Sequence, residues 1–342
     1  MSTSRTALTV AVTVLIAGCG SGSGATAGNV TSPVLTGRIV YIDRSTTPGL
    51  PHIYTIAPDG SQRKMVTVPP PFAEGENGGD HHPKLSPDGT KILFDHAYHR
   101  IMIVNFDGTG LRELALGCTR QCLDDEHPAW SPDSTRIAFE RDVGPFDNGV
   151  PRYYGIWIAA ADGSGARQLT QFDADSGWED HSPSFSPDGR QLVFMRDGNH
   201  LDNLDLASIW TIGVDGKDQR LVYRLPANRH GGGGNARWSR DGSRILFSDV
   251  SLFEPPAYPF VPEIFTVRPD GTDLQQLTEG YFPAWSPDGS WIVFLRPVYP
   301  ESADCIGARN ELYVMKADGA QIRRISQSTA DECHPDNPDW GV

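Results

Sequence analysis

The sequence predicts an all-β chain folded as a six-bladed β-propeller of four-stranded antiparallel blades, and three observations predict it. The first is a repeated turn. Pro83-Lys84-Leu85-Ser86-Pro87-Asp88-Gly89 returns at Pro128–Ser134, Pro183–Gly189, Ala236–Gly242 and Pro283–Gly289, each copy followed by an apolar triplet such as Ile92-Leu93-Phe94 or Ile137-Ala138-Phe139. In each copy Pro presets φ for a tight turn, Asp bonds its own backbone and Gly takes the left-handed exit, so one strand enters and another leaves. The second is Asp-Gly at Asp59, Asp107, Asp162, Asp215, Asp270 and Asp318, with an aliphatic residue at a constant offset on each side (Ile53 and Val66 in the first copy, Leu312 and Ile325 in the last). Asp-Gly between apolar runs is a hairpin signal. A period of roughly 50 residues with four strands per repeat describes a propeller blade. The third is the pair of chain ends. The first repeat starts at its second strand, Arg38-Ile39-Val40-Tyr41, and Asn337-Pro338-Asp339-Trp340 reads as an inner strand with nothing after it. The C-terminal strand is therefore expected beside the N-terminal one, closing the ring without exposed sheet edges.

Before the repeats, residues 1–18 carry one cation, Arg5, then an apolar run from Ala7 to Ala17. That is the shape of a secretory signal, too short to span a membrane as a helix. Leu15-Ile16-Ala17-Gly18-Cys19 resembles a bacterial lipobox, which implies cleavage before Cys19 and acylation of that residue. Residues 19–36, rich in Gly, Ser, Ala and Thr, read as a flexible tether reaching roughly 20–25 Å. Residues 37–342 form the propeller, a size one chain can hold because each blade packs only on its neighbours.

These repeats resemble the TolB-type propeller repeat, a WD-repeat relative found in the C-terminal domain of TolB and in many exported bacterial proteins. The resemblance spans residues 37–342 and rests on the Ser-Pro-Asp-Gly element. It implies the propeller fold and an extracytoplasmic binding role. The α/β domain that precedes the propeller in TolB has no counterpart between the tether and the first repeat.

The formal net charge is −14, which argues against nucleic acid and against adhesion to anionic lipid through a basic face. Membrane contact is expected from the lipid anchor alone, on a monomer. Beyond Cys19 there are four cysteines, Cys118, Cys122, Cys305 and Cys333, an even number that suggests two disulfides outside the cytoplasm. Three pairings are open. Cys118–Cys122 and Cys305–Cys333 join neighbouring loops of this topology and are the expected ones.

Propeller geometry places the short turns on one face and the long connections on the other, where binding is expected. There, just ahead of the inner strands, the sequence gathers Asp80-His81-His82, Glu126-His127, Asp180-His181 and His334, with His230 in a glycine-rich connection. Imidazole and carboxylate together suit Zn²⁺ or Mn²⁺, with His82, His127 and His181 as the candidate ligands. Oligogalacturonate lyases, propellers with a His-held metal, supply a resemblance for that reading. The alternative is a structural belt, because His before Pro recurs in TolB-type repeats, and the register differs: His82 aligns with His127, whereas His181 aligns with Glu126. With no Gly-x-Ser-x-Gly elbow or phosphate loop in the chain, the expected function is a binding or scaffold module without a cofactor. Its partner would be a protein, peptide or envelope glycan. A metal-dependent lyase or hydrolase is the alternative. Tyr153, Tyr154, Phe253, Tyr258 and Phe260 are read as exposed aromatics for such a contact.

Overall fold

The computed structural model describes residues 35–43, 50–67, 78–117, 122–144, 153–171, 178–198, 207–226, 235–249, 262–298, 309–326 and 335–342. The signal, the tether and most of the long connections fall outside them. So do Cys118, Cys305, Cys333, His230, His334, Phe253, Tyr258 and Phe260.

The first blade contains β1 (Arg38–Asp43), β2 (His52–Ile56) and β3 (Lys64–Met65). The second is β4 (Asp80–Leu85), β5 (Lys91–His96), β6 (Arg100–Asn105) and β7 (Arg112–Glu113). The third is β8 (Cys122–Trp130), β9 (Arg136–Val143), β10 (Tyr153–Ala160) and β11 (Arg167–Gln168). The fourth is β12 (Trp178–Phe185), β13 (Gln191–Gly198), β14 (Ser208–Gly213) and β15 (Arg220–Arg224). The fifth is β16 (Arg237–Trp238), β17 (Ile245–Asp249), β18 (Glu263–Val267) and β19 (Gln275–Glu279), and the sixth is β20 (Tyr281–Trp285), β21 (Trp291–Val298), β22 (Arg309–Lys316) and β23 (Arg323–Arg324). The last strand, β24 (Asp336–Gly341), returns to the first blade, whose order is β24-β1-β2-β3.

This closure is the expected one. Trp340 lies opposite Ile39 and Gly341 opposite Arg38. The Trp340 indole N–H donates to the Thr36 carbonyl at 3.0 Å. Gly37 sits at φ +94°, where a Cβ would lie 2.3 Å from the Gly341 carbonyl oxygen, so only glycine fits this seam.

The repeated turn explains its own sequence. Ser86 Oγ donates to Asp88 at 2.6 Å and accepts from the Lys91 N–H at 2.9 Å, and the Gly89 N–H closes on the Ser86 carbonyl at 2.8 Å. The four other copies repeat the Ser–Asp bond at the same length. In the third blade Ser134 takes the glycine's place and still adopts φ 57°.

Six clusters of buried apolar side chains fill the described residues, one at each blade junction. Ile92 and Phe94 pack with Val40 and Ile53 of the first blade, whereas Leu93 between them packs with Ile137 and Phe139 of the third. Alternate residues of a second strand thus face opposite neighbours, which is why these strands are apolar throughout. The cluster that joins Ile39, Tyr41 and Tyr54 to Val293, Leu312 and Val314 seals the sixth blade against the first. The structure corrects one reading: Tyr153 is not an exposed contact aromatic but is buried within β10, its hydroxyl accepting from Gln168 at 3.1 Å. Pairing with Val143 of β9 holds it in the sheet.

Candidate functional site

The inner strands carry a repeated kink. His82, His127, Ser182, Phe282 and Asn337 each precede a proline and have φ of 47°, 48°, 53°, 50° and 45°. The pairing with the second strand slips at the same places. These are β-bulges that turn the pre-proline residue out of the ladder. A left-handed non-glycine residue costs roughly 1–2 kcal/mol, and the freed N–H needs an acceptor. The preceding blade supplies it at three junctions. Asp95 accepts from the His127 N–H, Glu140 from the Ser182 N–H and Ser248 from the Phe282 N–H, each at 3.3 Å. All three acceptors directly follow the phenylalanine of the second-strand triplet. At the other junctions that position is Ile42, Met195 or Leu295.

On this scaffold the imidazoles and carboxylates close into one network. His82 Nδ1 is 2.8 Å from Asp95, and the His82 ring stacks on His127 with centroids 3.7 Å apart. Glu140 is the hub: His127 Nδ1 lies 3.0 Å from one oxygen and His181 Nδ1 bonds the other at 2.9 Å. His181 Nε2 reaches Asp197 at 3.3 Å and Glu179 at 3.7 Å. Burial alone would push the Glu140 carboxyl up, but His181 and His127 hold it well below the usual range. Asp95, fully buried, is likewise held down by His82 against the cost of burial. Burial works against a charged His181, yet Glu140 and Asp197 raise it well above an ordinary imidazole. His82 is lowered by burial and by its neighbour His127. Glu126 is pushed up to about 9, by burial first and then by Glu140, Asp95 and Asp124.

The three candidate histidines are therefore brought together, and His81 joins them through Tyr98, with centroids 3.9 Å apart. Asp80 and Asp180 are not part of this group. Asp80 pairs with His96 at 3.0 Å and accepts from the Thr67 hydroxyl. Asp180 is gripped by both arms of Arg196 at 2.6 and 2.8 Å, as Asp125 is by Arg141 at the same distances. Each guanidinium lies over a tryptophan of the third strand, Trp210 or Trp157, at 4.9 and 4.7 Å. The alternation of an inner strand sends these acids into the blade and not toward the axis. Asp95, Glu140 and Asp197 belong to the site without having been read into it from the sequence. The signal for the first two was an acid after Ile-x-Phe, in a position otherwise apolar or serine.

Two groups, Glu126–His127–Glu140 and Glu179–His181–Asp197, place one donor atom each within 4.8 Å of the others, a spacing a metal ion could use. The donor set is a poor match. Both His181 nitrogens already face carboxylates and its proton is held tightly, while Glu126 keeps its own proton, and a metal takes neutral imidazole and ionised carboxylate. Along the same channel lies a cavity of about 240 Å³, lined among others by Lys84, His127, Asn235, Arg237, Trp238 and Asp339. Arg237 pairs with Asp339, which also accepts from the Leu85 N–H at 3.0 Å.

No family model matches the chain. Over 69 residues it is 35% identical to the Tol-Pal system protein TolB of Rhizorhabdus wittichii, a stretch that covers 20% of this chain and 14% of that protein. In structure it resembles TolB from Acinetobacter baumannii, with a TM-score of 0.61 at 17% identity over 90% of this chain and 67% of that one. A protein described as TolB from Agrobacterium tumefaciens gives 0.56 at 18% identity, covering 85% and 88%. A puromycin hydrolase also shares the propeller, at 0.53 and 14% identity, covering 87% of this chain and 54% of that one. In fold, and over that short stretch in sequence, the chain is a TolB-like six-bladed β-propeller.

Proposed function

We propose that the chain is an extracytoplasmic binding module, tethered to a bacterial membrane through acylated Cys19, whose channel mouth takes a protein or peptide of the cell envelope. The observation that carries this reading is an aromatic platform at the mouth. Tyr98 is 44% exposed and held on a turn where it and Ala97 have φ of 61° and 57°. It stacks on His81, and the series continues through His82 to His127. Left-handed backbone at two successive non-glycine residues is strain of the kind kept where a side chain must be presented, and an anchored aromatic beside imidazoles is a common centre of protein contacts. The TolB-like fold supports the same class of role. The belt itself acts as the frame, since its histidines are consumed by Asp95, Glu140 and Asp197.

The test is capture of detergent-solubilised envelope proteins on the immobilised chain, with Tyr98→Ala and His81→Ala as controls. A partner retained by the wild type and lost by both variants supports the proposal. Retention indifferent to both overturns it. The two His/carboxylate groups favour a second reading, a Zn²⁺- or Mn²⁺-dependent lyase or hydrolase. Stoichiometric metal in the purified protein that is lost in His127→Ala would establish that reading instead.

A further inference from the structure

Beyond the mouth, the channel holds a set of polar groups that the belt does not use. Lys84, Ala129, Ser184, Arg237 and Asp339 occupy equivalent inner-strand positions and line the 240 Å³ cavity. Four residues that line this cavity each carry a donor that is cut off from water and has no hydrogen-bond partner among the described residues: Lys84 Nζ, Asn235 Nδ2, Arg237 Nη2 and Trp238 Nε1. Asn235 is 5% exposed. Leaving one buried donor unpaired costs on the order of 1–3 kcal/mol, and native proteins leave few. Four carried by the lining of one cavity call for an acceptor that reaches them there.

We propose that this cavity is a binding site for a single carboxylate, held by Lys84 Nζ, Arg237 Nη2, Asn235 Nδ2 and the Trp238 indole N–H. Charge selects the ligand. Lys84 and Arg237 against Asp339 leave one net positive charge, which matches a monoanion. The ionised Asp95 and Glu140 of the belt disfavour a polyanion. Four donors from four kinds of side chain suit the four lone-pair directions of a carboxylate. The carboxylate has two sources of the same chemistry, a small organic acid or the free C-terminus of a peptide threaded from the mouth. The site goes beyond the binding role proposed for the mouth and does not depend on it.

Burial, and then Arg237, lower the Lys84 ammonium to about 7, with Asp339 and Asp95 opposing. His127 lines the same cavity. Binding that needs the charged ammonium is therefore strongest below pH 7 and weakens above it.

The experiment is titration calorimetry at pH 6 on the intact protein with propionate, N-acetylglycine, a tripeptide with a free C-terminus, and the C-terminal amide of that tripeptide. Propionate and N-acetylglycine binding marks a small-acid site. Binding confined to the free tripeptide marks a peptide-end site. Either supports the proposal, provided that Lys84→Met and Asn235→Ala, shown folded by circular dichroism, each weaken it, Lys84→Met by at least about tenfold. Equal binding of the amide, binding unaffected by both variants, or no heat with any carboxylate to 10 mM (~4 decades above a micromolar site) would overturn it.

Discussion

Lys84→Met should stabilise the protein, and by an amount that depends on pH. The ammonium is shut away from water in the channel and its pKa falls from 10.5 to about 7. A base whose folded pKa lies below its unfolded one binds protons more readily in the unfolded chain, so stability from this group rises with pH between about 7 and 10.5. At pH 6 the charged lysine costs the full shift. At about 1.36 kcal/mol per unit that is at most ~5 kcal/mol, and about 2–4 kcal/mol once the site relaxes. Met keeps the apolar stem and removes the charge. Urea unfolding of both proteins at pH 6 and pH 9 should show Met ahead by about 2–4 kcal/mol at pH 6 and by less than half of that at pH 9. A variant no more stable than wild type at pH 6, or a gain equal at both values, would refute the burial of an unpaired ammonium. A stabilising loss of a side chain is also what a binding group predicts, since its cost is carried for the ligand.

Other perturbations address the frame. Glu140→Gln removes the anion on which His127 and His181 lean and should cost about 3–5 kcal/mol, the usual penalty for breaking a buried pair. In NMR titrations His181 should lose its proton well above 6.5 in the wild type and closer to 6.5 in that variant. Ser134→Gly should raise stability by about 1 kcal/mol, because Ser134 sits at φ 57° where the other copies have glycine. Trp340→Ala should cost about 3–5 kcal/mol by opening a hole in the seam between the first and last blades, read as a fall in the urea midpoint.

The architecture was legible because it is written six times over. Turn chemistry at Ser86-Pro87-Asp88-Gly89 and its copies, the Asp-Gly hairpins and the unmatched ends each specify the same closed ring, down to Trp340 beside Ile39. The site was legible only in part. Proximity of equivalent positions around an axis correctly grouped His82, His127 and His181, and the offset of His181 from that register is real, since Ser182 is the residue at the kink. Periodicity could not say which way an acid points. Asp80 and Asp180 lie two residues before the kink and turn into the blade, where His96 and Arg196 take them. Asp95 and Glu140 were hidden in strands that read as uniform core, because a single polar residue among apolar ones looks like noise until the bulge N–H opposite it is seen. The orphan donors of the channel were invisible for a related reason. Lys84, Arg237 and Trp238 sit within the repeated turn motif itself, where pattern accounts for the position and leaves the side chain unexamined.

The mouth and the channel share His127, which stacks in the platform and lines the cavity. A peptide that placed an aromatic side chain on Tyr98 and its terminal carboxylate at Lys84 would fill both at once, and the second contact would then be intramolecular. That arrangement has a consequence a double-mutant cycle can read. For a free-ended envelope peptide, Tyr98→Ala and Lys84→Met should each weaken binding, and together they should weaken it by less than the product of the single effects, because losing either anchor releases the other. For its C-terminal amide, Lys84→Met should change nothing while Tyr98→Ala keeps its effect. Independent, fully multiplicative losses would mean that two separate ligands use the two places, one on the rim and one on the axis.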